Sequence, residues 1–191
     1  MGDERKITME RCRMVFSGSG GQGVITAAII LAEAAVLYEN LTAVQSQAYG
    51  PEARGGATRS DVIISDSMIN YPKVIQPNVL VCLTQEAYNK FYAIIRPGGL
   101  LITDARFVKI QRKADAKQRE IPIYATVMEK IGKPIVFNIC MLGTLLALTE
   151  LVQPESVMKV IKTRIPKNFL ELNQKALDIG LKLGETYKDK H

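Results

Sequence analysis

The most constraining feature of the sequence is a glycine-rich turn between two apolar segments. A short apolar run at residues 12–16 leads into a turn with four glycines: Gly18, Gly20, Gly21 and Gly23. Residues 24–37 are then apolar or alanine except for Thr26 and Glu33. A strand at about 12–17, a tight turn and a buried helix at 24–38 are therefore predicted.

The spacing of Gly18, Gly20 and Gly23 matches G-x-G-x-x-G, in which backbone amides and a helix N-terminus can approach an anionic group. A dinucleotide site also needs an acidic residue at the end of the second strand, where it holds the ribose hydroxyls. The residues there are a Gln-Ser-Gln run at 45–47, and the turn lacks the Lys-Ser or Lys-Thr pair of a P-loop. The missing acid therefore disfavours an NAD(P) site. A structural role of the motif stays open, in which glycine permits the turn and close packing of the helix.

With 191 residues, 47% of them apolar, the chain is long enough for a single α/β domain with a buried core. We assign this domain to residues 1–191, with a core at about 12–151 and a helical C-terminal extension at 154–188. The polar first residues do not resemble a signal peptide, and the longest apolar segment is shorter than the roughly 20 residues that span a bilayer. A cytoplasmic protein is therefore predicted.

The cysteines and the histidine exclude several kinds of catalytic and metal site. Cys12, Cys82 and Cys140 lie far apart in apolar runs, so they are predicted to be buried, reduced thiols, and the sequence has no C-x-x-C motif. The chain alone therefore lacks the ligands of a cysteine-bound iron–sulfur cluster or a four-cysteine zinc site. Its one histidine is His191, which argues against Ser-His-Asp, Cys-His and histidine–metal chemistry.

Apolar patterns along the chain predict the remaining strands of a sheet. A second strand at 41–46 would complete a parallel βαβ unit. Residues 57–66 alternate in polarity, which is typical of a half-exposed strand toward a sheet edge. The apolar run at 79–83 predicts a central parallel strand, followed by a helix that Thr84 caps. Two further strands are predicted at 100–103 and 121–124.

The last part of the chain is predicted to be helical. Asn138 is predicted to cap a nearly apolar helix at 139–151. Pro154 and Pro166 are predicted to open two amphipathic helices at their first turns. Together these features predict an α/β, Rossmann-like fold, with a mostly parallel sheet, helices on both faces and a C-terminal helical hairpin.

The net charge of +6 comes largely from a basic run at 106–119. Such a run suits nucleic acid or an acidic partner, but it matches no nucleic-acid-binding module. A solvated connection is therefore favoured, and neither nucleic acid nor a membrane is an expected partner.

The loop after the second strand is another candidate site. Tyr49, Glu52 and Arg54 precede Gly55 and Gly56 at the carboxyl edge of the predicted sheet, where open α/β folds bind ligands. Arg54 can grip a carboxylate or phosphate with two hydrogen bonds, beside exposed glycine amides. The alternative is an exposed loop in which Glu52 and Arg54 form an ion pair of under about 1 kcal/mol.

The glycine turn at 18–23, the loop at 47–56 and the Arg-Pro-Gly-Gly turn at 96–99 resemble, in this order and spacing, the gamma subunit of 2-oxoacid:ferredoxin oxidoreductases. Asn138, at the start of an apolar helix, fits the same family, and the resemblance runs over about 12–148. The sequence Tyr-Gly-Pro-Glu-Ala-Arg-Gly-Gly is most similar to that of the 2-oxoglutarate enzymes, although the 2-ketoisovalerate, pyruvate and indolepyruvate enzymes share the outline.

The resemblance implies a complex that oxidatively decarboxylates a 2-oxoacid, joins the acyl group to coenzyme A (CoA) and reduces ferredoxin. Thiamine diphosphate, magnesium and iron–sulfur clusters would be held by partner subunits of alpha, beta and delta type, with no catalytic or metal-binding residue on this chain. The chain would pack beside the thiamine cleft and help to bind CoA, the co-substrate. The residues expected to line this site are Gly18, Gly20, Gly21, Gly23, Tyr49, Arg54, Gly55, Gly56 and Asn138.

An alternative from a different class of protein is a free-standing nucleotide-binding or regulatory α/β module. A stable colourless monomer that binds NAD(P) or ATP would identify it, whereas a brown, thiamine-containing complex would identify the oxidoreductase subunit.

Overall fold

A computed structural model describes residues 11–47, 56–112 and 114–188. A six-stranded sheet forms its centre. The strands are β1 (Cys12–Gly18), β2 (Thr42–Gln47), β3 (Thr58–Ser65), β4 (Val79–Cys82), β5 (Gly99–Asp104) and β6 (Ala116–Ile121). Their order across the sheet is β2-β3-β1-β4-β5-β6.

The sheet is mostly parallel, as predicted, but β3 runs against its neighbours. Parallel pairing joins β1 to β4, β4 to β5 and β5 to β6, whereas β3 is antiparallel to both β1 and β2. β3 therefore separates β1 from β2, so the predicted βαβ unit does not pair its own two strands. The carboxyl ends of the parallel strands lie at one edge of the sheet, together with the end of β2 and the start of β3.

The prediction that residues 57–66 form a half-exposed strand toward a sheet edge is wrong. β3 is an interior strand, and all but its first two residues are buried. Both of its faces are covered, since Val62 packs into one hydrophobic core and Ile63 into the other. Polar residues of β3 have partners within the protein. For example, Arg59 forms an ion pair with Asp61, with Nε 2.6 Å from Oδ1. The polar alternation therefore reflects partners inside the fold and not contact with water.

Helices cover both faces of the sheet, as predicted. They are α1 (Val24–Tyr38), α2 (Gln85–Phe91), α3 (Ile123–Lys130), α4 (Phe137–Thr149), α5 (Pro154–Arg164) and α6 (Leu170–Lys188). All except α2 contribute to the core that contains Phe16, whereas α2 packs over Leu80 on the opposite face. Thr84 caps α2 as predicted, because its Oγ1 accepts a hydrogen bond from Ala87 N at 3.1 Å.

The strand predicted at 121–124 is wrong in position. β6 ends at Ile121, and α3 begins at Ile123. Because β6 lies at the edge of the sheet, Lys117 and Glu120 point to solvent, and the strand carries no continuous apolar run. β6 also takes up the end of the basic run, which is a connection only before residue 116.

Two expectations about the helical part of the chain are also corrected. Asn138 is not an N-cap, since α4 begins at Phe137 directly after the 3-10 turn Pro134–Val136. Pro154 is the first residue of α5, as predicted, but Pro166 precedes another 3-10 turn, Lys167–Phe169, and α6 begins after it. Asn138 therefore lies inside the first turn of its helix, where its side chain is available for a tertiary contact.

α6 packs against α4 at backbone contact distance. A Cβ on Gly180 would lie 2.1 Å from Cys140 O, and one on Gly143 would lie 2.4 Å from Leu177 O. Only glycine leaves room for this approach, which holds α4 between the sheet and α6. Although α4 is apolar, no helix in the described part of the chain combines the length and hydrophobicity needed to cross a membrane.

The contact between α4 and α6 predicts an inverted effect of alanine. Gly180→Ala is expected to lower the free energy of unfolding by about 1–3 kcal/mol through overpacking, although alanine in an ordinary helix stabilises by about 1 kcal/mol relative to glycine. Lys182→Ala, at an exposed position of the same helix, is the control and should change little. Urea unfolding of the purified chain measures both, and a Gly180→Ala variant as stable as the parent would contradict the close packing.

Candidate functional site

The chain turns to opposite faces of the sheet after the neighbouring strands β1 and β4. β1 leads into α1 on one face, and β4 leads into α2 on the other. In open α/β sheets such a change of side creates a crevice at the carboxyl ends of the strands, and ligands bind there. The glycine turn, defined as residues 18–23, forms one wall of this crevice, and the start of α2 lies across from it.

Gln22 fixes the shape of the glycine turn. Its Oε1 accepts a hydrogen bond from Ser19 N at 2.8 Å, and its Nε2 donates to Leu83 O at 3.3 Å. A Cβ on Gly18 would lie 2.4 Å from Gln22 Oε1, so glycine is needed for this closure. Sequence reasoning gave Gln22 no role, because the motif specifies glycines and treats this position as a spacer.

The tip of the glycine turn is open. A Cβ on Gly20 or Gly21 would meet no atom within 4 Å, and both residues are exposed. Gly23, with a φ of 72°, is the N-cap of α1, and among the described residues no side chain caps the first N–H groups of the helix. Unsatisfied N–H groups at a helix start favour an anion. The turn is therefore suited to a phosphate or carboxylate.

Asn138 supports the glycine turn from α4. Its Nδ2 donates to Gly23 O at 3.3 Å, and a Cβ on Gly23 would lie 2.6 Å from the same nitrogen. The side chain is buried, with Asn138 as a whole 8% exposed. The structure thus brings these two predicted site residues together, and Asn138 acts on the position of the turn.

Gly56 lies on another side of the crevice, before β3. It has a φ of 82°, and a Cβ there would lie 3.5 Å from Glu86 Oε2 in the first turn of α2. Thr58 Oγ1 donates to Gly18 O at 3.0 Å, which joins β3 to the glycine turn. The remaining residues of the predicted site lie outside the described residues, and their roles stay predictions: Tyr49, Arg54 and Gly55.

Charged groups of opposite sign lie at different places along this edge. The carboxylate of Glu86 is exposed beside Gly56. Arg106, which follows β5, is also exposed, and its Cζ lies 5.0 Å from the centroid of the Tyr124 ring. Sequence reasoning assigned Arg106 only to a solvated basic run. The side of the crevice near β5 is therefore the more favourable one for an anion.

The buried carboxylate of Asp104 joins β5 to α3. It accepts hydrogen bonds from Arg106 N at 2.8 Å and from Tyr124 N at 2.7 Å. Burial raises the pKa of Asp104, while these N–H groups and the charge of Arg106 oppose the rise. Both carboxylate oxygens thus have partners in the protein, so Asp104 positions its neighbours.

The thiols are packed in the core, as predicted. Cys12, Cys82 and Cys140 are free and buried, and burial raises the pKa of Cys12 and that of Cys140 to about 12. Thiolates, which act as nucleophiles and metal ligands, are therefore scarce at neutral pH. Within residues 11–47, 56–112 and 114–188, no three His, Cys, Asp or Glu side chains are grouped so that they could hold a metal ion.

Comparison with known proteins gives matches along nearly the whole chain. The family model of pyruvate ferredoxin/flavodoxin oxidoreductase matches residues 13–183. The 2-oxoglutarate synthase subunit KorC of Methanocaldococcus jannaschii is 44% identical over 185 residues, which cover 96% of this chain and 98% of that protein. The solved gamma subunit of a keto/oxoacid ferredoxin oxidoreductase from Geobacter sulfurreducens PCA is 42% identical, with a TM-score of 0.83 over 92% of this chain and 99% of that one.

A more distant solved structure shares the fold. The 2-oxoglutarate:ferredoxin oxidoreductase from Magnetococcus marinus, solved with 2-oxoglutarate, coenzyme A and succinyl-CoA bound, is 21% identical and has a TM-score of 0.82. The match covers 93% of this chain but 31% of that one, so this fold is one part of a longer polypeptide there.

The contact between Asn138 and the glycine turn predicts a position-specific effect. Gly23→Ala is expected to lower the free energy of unfolding by about 2–4 kcal/mol, because the new Cβ meets Asn138 and alanine must hold a positive φ. Gly20→Ala is the matched control, since its Cβ would enter open space, and a change within about 0.5 kcal/mol is expected. Equal urea midpoints for the two variants would contradict this packing.

Proposed function

This chain belongs to the pyruvate ferredoxin/flavodoxin oxidoreductase family, and we propose that it is the gamma-type subunit of a 2-oxoglutarate:ferredoxin oxidoreductase. The complex would convert 2-oxoglutarate, CoA and oxidised ferredoxin into succinyl-CoA, CO2 and reduced ferredoxin. One observation carries the proposal: the 44% identity to a 2-oxoglutarate synthase subunit extends over almost the full length of both chains. The alternative is the same role with another 2-oxoacid.

Within this complex, thiamine diphosphate, magnesium and iron–sulfur clusters are assigned to partner subunits of alpha, beta and delta type. The reacting 2-oxoacid would be bound there, and electrons would leave from there to ferredoxin. The positions of the cysteines support this division, because all three thiols are buried in the core of this chain. The contribution of this chain would then be binding and orientation, and it would be inactive alone.

The role that we propose for the crevice is to hold the phosphate-bearing end of CoA. The open tip of the glycine turn and the first N–H groups of α1 suit an anion, and Asn138 keeps them in place through Gly23 O. Arg54, before Gly55 and Gly56, is proposed to grip a phosphate with two hydrogen bonds. The enzyme from Magnetococcus marinus, which has this fold, was solved with CoA bound.

An assay of the assembled complex tests the proposed function. The chain is co-expressed with its partner subunits, and dye reduction is followed with 2-oxoglutarate, pyruvate and 2-ketoisovalerate at saturating CoA. We expect a kcat/KM for 2-oxoglutarate at least about tenfold above the values for pyruvate and 2-ketoisovalerate. These two substrates lack the second carboxylate of 2-oxoglutarate, so a group that pairs with it in the substrate site would stay buried and unpaired. A higher value for another 2-oxoacid would establish the alternative, and a monomer that joins no complex would overturn the proposal.

The role of Arg54 is tested in the same complex. Arg54→Ala is expected to raise the KM for CoA by about tenfold, the loss for one charge-assisted hydrogen-bonding contact, with unchanged thiamine content. Lys73→Ala is the control, because Lys73 is an exposed cation on the connection between β3 and β4 and is not among the residues assigned to the crevice. A KM for CoA that is equal in the two variants would rule out the role of Arg54.

A further inference from the structure

Arg106 is an exposed cation that is held in a defined orientation. Its Cζ lies 5.0 Å from the centroid of the Tyr124 ring and 5.9 Å from that of the Phe107 ring. The rings themselves meet edge to face at 5.0 Å. A guanidinium stacked on aromatic rings loses less conformational freedom on binding than a free one, and its edge stays available for hydrogen bonds.

The guanidinium has no acidic partner in the described residues. The ion pairs there involve other cations: Arg59, Lys130, Arg164 and Lys188. Asp104, two residues before Arg106, is buried, and its carboxylate oxygens already accept hydrogen bonds from Arg106 N and Tyr124 N. The planar fork of Arg106 N–H donors is therefore open to a ligand.

A continuous series of contacts connects Arg106 with the glycine turn. Tyr124 meets the ring of Phe137 at 5.6 Å, Phe137 is the first residue of α4, and the next residue is Asn138, which donates to Gly23 O. Arg106 and the turn thus lie along the same edge of the sheet and are braced by the same helix. Glu86, an exposed acid of this edge, lies instead beside Gly56.

We infer that Arg106, stacked on Tyr124 and Phe107, binds the 3′-phosphate of CoA. CoA carries two separate anionic groups, a diphosphate and a 3′-phosphate, on either side of one ribose. The N–H groups at the start of α1 suit the diphosphate, and the cation of Arg106, two strands along the same edge after β5, suits the 3′-phosphate. Arginine matches a phosphate with two parallel hydrogen bonds. This inference rests on the proposed function, since it names a further contact to the same co-substrate.

The experiment compares CoA with dephospho-CoA, which lacks only the 3′-phosphate, in the assembled complex. Arg106→Ala is expected to raise the KM for CoA by about tenfold, to leave the KM for dephospho-CoA unchanged, and to leave kcat at saturating CoA unchanged. Arg106→Lys, which keeps the charge but not the fork, should fall between Arg106→Ala and the parent. Arg112→Ala is the matched control, because Arg112 is also exposed and stacked, with its Cζ 5.5 Å from the Tyr92 centroid.

Two outcomes would overturn the inference. One is an unchanged KM for CoA in Arg106→Ala, and another is an equal rise for CoA and dephospho-CoA, which would place the residue elsewhere on the molecule. If the KM for CoA is unchanged while thermal stability or subunit content falls, the role of Arg106 is structural. Each leaves the proposed function intact, because the parent complex would still oxidise 2-oxoglutarate; a parent complex without CoA-dependent turnover would refute the proposed function itself.

Discussion

A single hydrogen bond joins parts of the chain that lie 115 positions apart, from Asn138 Nδ2 to Gly23 O. It sets the position of the glycine turn on α4, and with it the direction of the first N–H groups of α1. α4 is in turn held by α6, through close contacts at Gly143 and Gly180. The geometry of the crevice therefore depends on helices that need not touch a ligand at all. A change in their packing would move the turn as a unit.

Sequence patterns predicted the elements whose causes are local. The bounds of α1 follow from the glycines before it, and Thr84 caps α2 through a bond to Ala87, three residues on. The errors arose where the cause is distant in sequence. Interior β3 has the polarity of an exposed strand because its polar groups have partners within the fold, and β6 was misplaced because an edge strand needs no continuous apolar run.

The same distinction applies to the candidate site. Spacing identified Gly18, where a Cβ would displace Gln22 Oε1, and Gly23, whose positive φ and contact with Asn138 favour glycine. Spacing did not identify Gln22, whose partner Leu83 O lies 61 residues away. It also did not identify Arg106, because the Tyr124 ring on which it stacks comes after β6 in the chain. Asn138 has a residue type that favours capping, a local role, but its side chain makes a tertiary contact with Gly23 O. The sequence therefore predicts several residues of the candidate site. The contacts of these residues depend on strands and helices that are distant in the chain, so they are visible only in the folded structure.

The reversed direction of β3 has a consequence for how this edge of the sheet can vary. β2 and β3 pair from Thr42 opposite Ser65 to Gln47 opposite Ser60, and the other side of β3 is paired with β1 along its length. β3 is also aligned by its pairing with β1, and α1 connects β1 to β2 from the other side. The segment between β2 and β3 is therefore not the only element that aligns these strands, and extra length there costs little entropy. Its chemistry is thereby decoupled from folding, so related chains can acquire a different ligand preference at this loop on an unchanged scaffold.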